Sequence, residues 1–263
     1  MSGQFSGKVV AITGAAGGIG RELCLGFGRE GAAIAAIDRS DRLDALVADL
    51  EAAGIRVAAA KVEIGDADRV AQAFTRLVAA LGPVDILVNN AGVSNYPNFR
   101  VTTPAGWASD INDNLNGAYN CAHAVLGAMQ ERRAGAIVNI SSVNGISALG
   151  DPAYSAAKAG MLALTRSIAV DYGKYGIRAN TVLPGTVRTP IWDHRIAKNP
   201  EVLKILARWY PLGRIVEPAE IARVVLFLAS DAASAVSGVA LPVDCGLSAG
   251  NGVMASELTV EGF

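Results

Sequence analysis

The stretch "VVAITGAAGGIGREL", residues 9–23, decides how the rest of the chain is read. A short apolar run with β-favouring residues enters a glycine-rich turn, and the turn opens into a helix-like segment. Gly14 follows Thr13, and Gly18 and Gly20 flank Ile19. Glycines so placed let the backbone approach a bulky anion, and the unpaired N–H groups of the following helix face its charge. A plain tight turn has the same local signature, and the order is not the GxGxxG of the commonest dinucleotide fingerprint. The surrounding sequence has to arbitrate.

Outward from this stretch, short apolar runs alternate with helical patterns. The runs are residues 8–13, 32–38, 56–63, 84–90, 135–141, 177–183 and 238–244; helical patterns include 19–30, 41–53, 66–81, 107–132, 154–175 and 218–229. Continuous apolar strands separated by helices predict a parallel sheet covered on both faces. Right-handed crossovers make it doubly wound. The expectation is one α/β domain over 1–263, with a seven-stranded Rossmann sheet. Residues 186–217 interrupt the rhythm with a long excursion of the kind that builds lids and binding loops. A tail, 247–263, continues past the last strand and is expected to pack on the body or on a neighbouring subunit.

The 263 residues carry a net charge of −1, which implies no basic face for nucleic acid. The three cysteines, Cys24, Cys121 and Cys245, are scattered and suggest no metal site and no disulfide framework. They read as free thiols in a reducing cytoplasm. No apolar stretch is long enough for a membrane span, and the N-terminus does not read as a secretory signal.

The second run ends in Asp38, close to the interval at which an acid binds the adenosine ribose. A carboxylate there accepts bonds from the ribose hydroxyls and repels a 2′-phosphate, which favours NAD over NADP. The adjacent Arg39 complicates this, because a guanidinium binds phosphate. A solvated acid in a βα turn is the other reading of Asp38.

The chain resembles the classical short-chain dehydrogenase/reductase family over roughly residues 6–246. The resemblance rests on "TGAAGGIG" (13–20), "NNAG" (89–92), "NLNG" (114–117), "ISS" (140–142), "YSAAK" (154–158), "RAN" (178–180) and "PGTVRT" (184–189), in that order. It implies a nicotinamide cofactor across the strand ends. Gly14, Gly18, Ile19 and Gly20 would line the pyrophosphate, Asp38 the ribose, and Glu63 with Ile64 the adenine. Asn89, Ala91 and Gly92 would run along its middle, and Pro184, Gly185, Val187 and Thr189 would touch the nicotinamide. Two positions depart from the pattern. Glu63 stands where an Asp is usual, and Cys245 where a glycine is usual.

Tyr154 and Lys158 are four residues apart and share a helix face. Such pairs are often surface decoration, but among these motifs they read as a proton-transfer pair. A free tyrosine, pKa near ~10, is a poor base at neutral pH. An ammonium beside it and an oxidised nicotinamide ring both favour the phenolate, which would let Tyr154 exchange a proton with an alcohol or ketone. Lys158 would also bond the nicotinamide ribose, so both residues belong to the cofactor set as well. The family pattern makes Ser142 the serine that holds the substrate oxygen, with Ser141 on the other side of the strand. It makes Asn114 the asparagine that links Lys158 to solvent through a water.

The substrate is less legible. Ser94, Asn95, Asn144 and Trp192 are expected in its pocket, with Tyr96, Leu149, His194, Trp209 and Tyr210 nearby; His194 reads more readily as a solvated loop residue than as a catalytic one. The set suits a polyol, a sugar, or a cyclic or aromatic secondary alcohol or ketone. The sequence reading is therefore a cytoplasmic, NAD-dependent dehydrogenase of small-molecule alcohols, with no metal. The resemblance implies a homotetramer packed through the 107–132 and 154–175 helices, with the last strand making a second contact. Two alternatives stand beside it: a 3-oxoacyl-thioester reductase, and a dinucleotide-sensing protein without catalysis.

Overall fold

The computed structural model describes residues 3–260, apart from the side chains of Ile191 and His194. Seven strands form one sheet: β1 (Val9–Thr13), β2 (Ala33–Asp38), β3 (Val57–Lys61), β4 (Ile86–Asn89), β5 (Gly135–Ile140), β6 (Ile177–Pro184) and β7 (Ala240–Val243). All neighbours are parallel, and their order is β3-β2-β1-β4-β5-β6-β7. Val10 pairs with Ile34 on one side and Ile86 on the other. The seven apolar runs of the sequence are these seven strands.

Side chains alternate between the faces because the strand period is two. Val10, Ile12, Ile34 and Val138 point to one side, against α1 (Gly18–Arg29), α2 (Arg42–Ala52) and α9 (Pro218–Ala229). Ala11, Ile37, Leu87 and Ile137 point to the other, against α3 (Ala67–Leu81), α5 (Gly117–Arg132) and α6 (Pro152–Tyr172). Both faces being covered is why the strands read as continuous apolar runs rather than alternating ones. The strand order reverses between β1 and β4, the place where open α/β sheets leave a crevice at their carboxyl ends.

The helix expected over 107–132 is not continuous. It is α4 (Pro104–Ile111), a π-helical turn at Asn112–Asn116, and α5. A π turn inserts an extra residue and changes which side chain faces inward; here it buries Asn114. The excursion contains two short helices, α7 (Asp193–Lys198) and α8 (Val202–Ala207), and is closed at its base by a bridge between Val187 and Val216. Past β7, Cys245 takes a left-handed φ of 52°, a conformation that glycine adopts more cheaply. The tail continues into α10 (Gly252–Thr259); residues 261–263 of the expected tail lie outside the described residues. Among the described residues no helix is long and apolar enough to cross a membrane, and no cluster of ligating side chains could hold a metal ion.

Candidate active site

A cleft of about 590 Å³ opens over the carboxyl ends of β1, β2 and β4. Gly14, at φ 63°, turns the chain out of β1, and a Cβ there would lie 2.8 Å from the Cα of Ala91. The turn is clamped from β4. Asn90 Nδ2 donates to the carbonyls of Thr13 (3.0 Å) and Gly14 (3.1 Å), and Thr13 Oγ1 accepts the N–H groups of Asn90 and Ala91, each at 3.0 Å. Gly17 caps α1 with no side chain, and its first turn holds no acid. The orphan N–H groups and positive end of α1 are thus open to an anion. A cradle that side chains would close, an uncapped helix start and a carboxylate at the end of β2 together fit a dinucleotide.

At the far end, Asp38 Oδ2 accepts the N–H of Ala16 and Oδ1 that of Ser40, both at 2.9 Å. The carboxylate is thereby fixed beside the glycine turn. Arg39 is turned toward two acids: its guanidinium lies 3.2 Å from Glu63 and 3.5 Å from Asp113. The hydrogen bond to Glu63 holds its pKa above the ordinary arginine value. Burial raises the Asp113 carboxyl, while Arg39 partly offsets the rise. Glu63 and Ile64 line the same cleft. The longer Glu63 side chain therefore serves to hold Arg39.

Several residues of the expected cofactor set do not line this cleft. Asn89 follows Leu87 onto the α5 face of the sheet, where it is buried and donates to Asn139 (2.9 Å) and to the Ala118 carbonyl (3.3 Å). The cleft-lining asparagine is Asn90, one residue on and therefore on the opposite side of the pleat. Gly20 is buried beneath the turn against the Gly14 carbonyl, so it lets α1 pack on the loop rather than facing the cleft. Val187 lies in the core and Pro184 in the buried end of β6. Ala91, Gly92 and Thr189 do line the cleft, and Thr189 also packs on Gly18. Gly185 borders a second cavity instead. Gly17, Ser40, Arg42 and Asp113 are lining residues that the motif reading passed over.

The second cavity, about 810 Å³, is lined by Ser142 among others. Ser142 Oγ accepts the N–H of Asn144 (3.1 Å) and donates to Asn144 Oδ1 (3.3 Å). Tyr154 and Lys158 come from the first turns of α6, with the Lys158 ammonium 5.4 Å from the centre of the Tyr154 ring. Lys158 is buried and donates to the Ile140 carbonyl at 2.8 Å. The π turn delivers Asn114 from the other side, where its amide donates to the carbonyls of Val93 and Asp110, both at 2.8 Å, and its Oδ1 accepts the Val93 N–H at 3.1 Å. Gly92 joins the groups: a Cβ there would lie 2.9 Å from Asn114 Oδ1 and 3.1 Å from Lys158 Nζ.

The electrostatics differ from the sequence expectation. Burial raises the Tyr154 phenol, a hydrogen bond with Ser142 offsets part of this, and Asp151 adds to the rise. Burial also lowers Lys158 to about 8. The ammonium stands over the ring, and desolvation outweighs any lowering of the phenol by Lys158. Both groups are therefore pushed toward their neutral forms.

Of the expected substrate residues, Asn144 and Trp192 line this cavity, as do Leu149, Trp209 and Tyr210. Ser94 and Asn95 do not. Both are exposed, and Asn95 Nδ2 is held by buried Asp110 at 2.6 Å. Tyr96 packs against Gly106. The His194 side chain lies outside the described residues. Arg195 and the tail residues Leu247, Ser248 and Asn251 also border the cavity; nothing in the local sequence of the tail marks them as pocket residues.

Comparison with known proteins agrees with this architecture. Residues 14–248 match the family model described as enoyl-(acyl carrier protein) reductase. A short-chain dehydrogenase/reductase family oxidoreductase from Burkholderia thailandensis is 47% identical, superposes with a TM-score of 0.92, and is matched over 97% of this chain and 98% of its own. The (2S)-[(R)-hydroxy(phenyl)methyl]succinyl-CoA dehydrogenase subunit BbsD of Thauera aromatica is 40% identical over 91% of this chain and 95% of its own. The 3-oxoacyl-[acyl-carrier-protein] reductase FabG of Thermotoga maritima is 39% identical over 93% and 99%. The chain belongs to the short-chain dehydrogenase/reductase family and is an oxidoreductase with a Rossmann fold.

Proposed function

We propose that this protein interconverts a small-molecule secondary alcohol and its ketone with NAD as cofactor, in the cytoplasm. The observation that carries the reading is the position of Ser142, Tyr154 and Lys158. They gather past the carboxyl end of β5: Ser142 lines the second cavity and hydrogen-bonds Tyr154, the Lys158 ammonium stands over the Tyr154 ring, and Gly92 of the dinucleotide cleft packs against Lys158. Bound nicotinamide supplies the hydride acceptor or donor. Ser142 Oγ holds the substrate oxygen and polarises it. Tyr154 Oη takes the proton from the alcohol or gives it to the ketone. Lys158 orients the cofactor ribose and steadies charge on the phenolate, and Asn114, fixed by its backbone bonds, completes the polar path to it. Ala91, Gly92 and Thr189 keep the cofactor against this group, while Gly14, Gly18 and Ile19 take the pyrophosphate.

Two features support NAD over NADP. Asp38 keeps a fixed carboxylate at the ribose position, and Arg39 is already held by Glu63 and Asp113. Among the described residues of the cleft, a 2′-phosphate would meet three carboxylates, against the single further cation Arg42, whose guanidinium donates to Ser40 Oγ. Two of the relatives named above, BbsD and FabG, act, by their names, at a hydroxyl-bearing or oxo-bearing carbon. The second of them favours 3-oxoacyl-thioester reduction as the other reading. A homotetramer is also part of the proposal: Trp107, Tyr119 and Val170 expose apolar surface on α4, α5 and α6, and light scattering at the monomer mass would refute it. The test of function is reduced-nicotinamide absorbance with NAD and with NADP across polyols, sugars, cyclic and aromatic alcohols and 3-oxoacyl thioesters. NAD-linked turnover of a free alcohol is expected. Turnover only of thioesters, or only with NADP, would overturn the reading.

A further inference from the structure

Among the described residues lining the Ser142 cavity, Arg195 is the one cation and Asp151 the one carboxylate. They stand at different places. Asp151 begins α6, three residues before Tyr154, and is close enough to raise the Tyr154 phenol. Arg195 comes from α7 in the excursion, and its guanidinium stacks 4.7 Å over the ring of Trp192, which borders the same cavity. Among the described residues no carboxylate pairs with it. Stacking holds the plane of a guanidinium and leaves its edge N–H groups to make a two-pronged bond. The lining mixes apolar Leu149, Leu206 and Leu247 with polar Ser147, Ser248 and Asn251. The cavity thus carries its one carboxylate beside the reacting Tyr154 and its one cation on the excursion.

We propose that the substrate is a hydroxy or oxo carboxylic acid with an apolar, ring-sized body, and that Arg195 receives its carboxylate while the oxidisable carbon lies at Ser142 and Tyr154. This rests on the assignment of the Ser142 cavity to the substrate under the proposed function and narrows its substrate class. Asp151 repels the acid from the reacting end, so the charge pair sets which way round the molecule enters. A neutral polyol or sugar would leave Arg195 without a partner.

The test reads binding rather than turnover. Two of the three tryptophans, Trp192 and Trp209, border this cavity, and Trp107 lies on α4. Tryptophan emission of the full chain, saturated with NAD, is titrated with cyclohexanecarboxylate and with its neutral isostere cyclohexanecarboxamide. The carboxylate is expected to bind about tenfold or more tightly than the amide, the scale of a hydrogen-bonded charge pair. Arg195→Met, with an unchanged circular dichroism spectrum, removes the preference; Arg195→Lys keeps part of it. Arg208→Met, which alters a guanidinium stacked on Trp209 outside this cavity, keeps it whole. Carboxylate binding no tighter than amide binding, including no binding of either at millimolar concentration, overturns the proposal. So does a preference that survives Arg195→Met or is lost with Arg208→Met. Tyr154→Phe leaves the preference intact, so a failure of the dehydrogenase reading shows in the turnover assay and not here.

Discussion

The Ser141 hydroxyl donates a 2.8 Å hydrogen bond to the main-chain carbonyl of Lys158, and the Lys158 ammonium donates one of equal length to the carbonyl of Ile140. The end of β5 and the second turn of α6 are stitched together in both directions, within the buried floor of the site. Ser141 thus positions the residues that flank Ser142 without facing the cavity. Ser141→Ala should cost about 1 kcal/mol of stability, the ordinary worth of one buried hydrogen bond. It should also lower kcat by a factor of roughly 3 to 10, because small displacements of positioned groups are costly, with the KM for NAD little changed. Denaturant midpoints and steady-state kinetics check this. A stability loss with unchanged kcat would reduce Ser141 to a packing residue.

Tyr154→Phe removes the proton donor and acceptor and keeps the ring that stands under Lys158. Turnover should fall by about 10² to 10⁴, the usual contribution of a positioned acid or base, while NADH binding, followed by fluorescence, stays within about twofold. Near-normal turnover would take Tyr154 out of its role. Because the phenol is raised by burial, ketone reduction in the wild type should persist to higher pH than an unperturbed group would allow, and alcohol oxidation should climb with pH.

Cofactor choice should respond to two separate changes. Asp38→Ala removes the fixed carboxylate and should bring NADP binding to within roughly tenfold of NAD, the scale of one charged contact. Glu63→Gln leaves Asp38 in place but loosens Arg39, whose exposed ion pair with Glu63 is worth about 0.2–1 kcal/mol. It should strengthen NADPH binding by only about two- to fivefold. Calorimetric affinities for NADH and NADPH in both variants decide the matter. No change in either would mean that other groups read the ribose.

Burial holds Lys158 at about 8, below its ordinary 10.5. Between those values the unfolded chain carries a proton that the folded chain has released, so this group makes stability rise with pH across that window. The full span amounts to about 3 kcal/mol at most. Lys158→Met should abolish the slope: relative to this variant, the wild type gains stability from pH about 8 to about 10. Paired urea denaturation at the two values measures it, and parallel curves would show that the ammonium is not desolvated as the structure places it.

The sequence alone determined the architecture, because apolar runs and helical spacing are properties of consecutive residues. Two-face burial requires continuous apolar strands wherever they sit, so all seven were legible. So was the glycine turn with Asp38 at the next strand end, and Ser142, Tyr154 and Lys158 within one short window. The tertiary structure decided what depends on side-chain direction and on partners distant in the chain. The pleat sends Asn89 into the core and leaves Asn90 on the cleft. Arg39 finds Glu63 and Asp113 across two loops, 24 and 74 residues away. A π turn, which has no local signature in "NDNLN", rotates Asn114 inward. The excursion and the tail bring Arg195 and Asn251 to one cavity although neither segment's own pattern points to it. In each case the deciding contact is made only once the sheet has fixed its two ends in space.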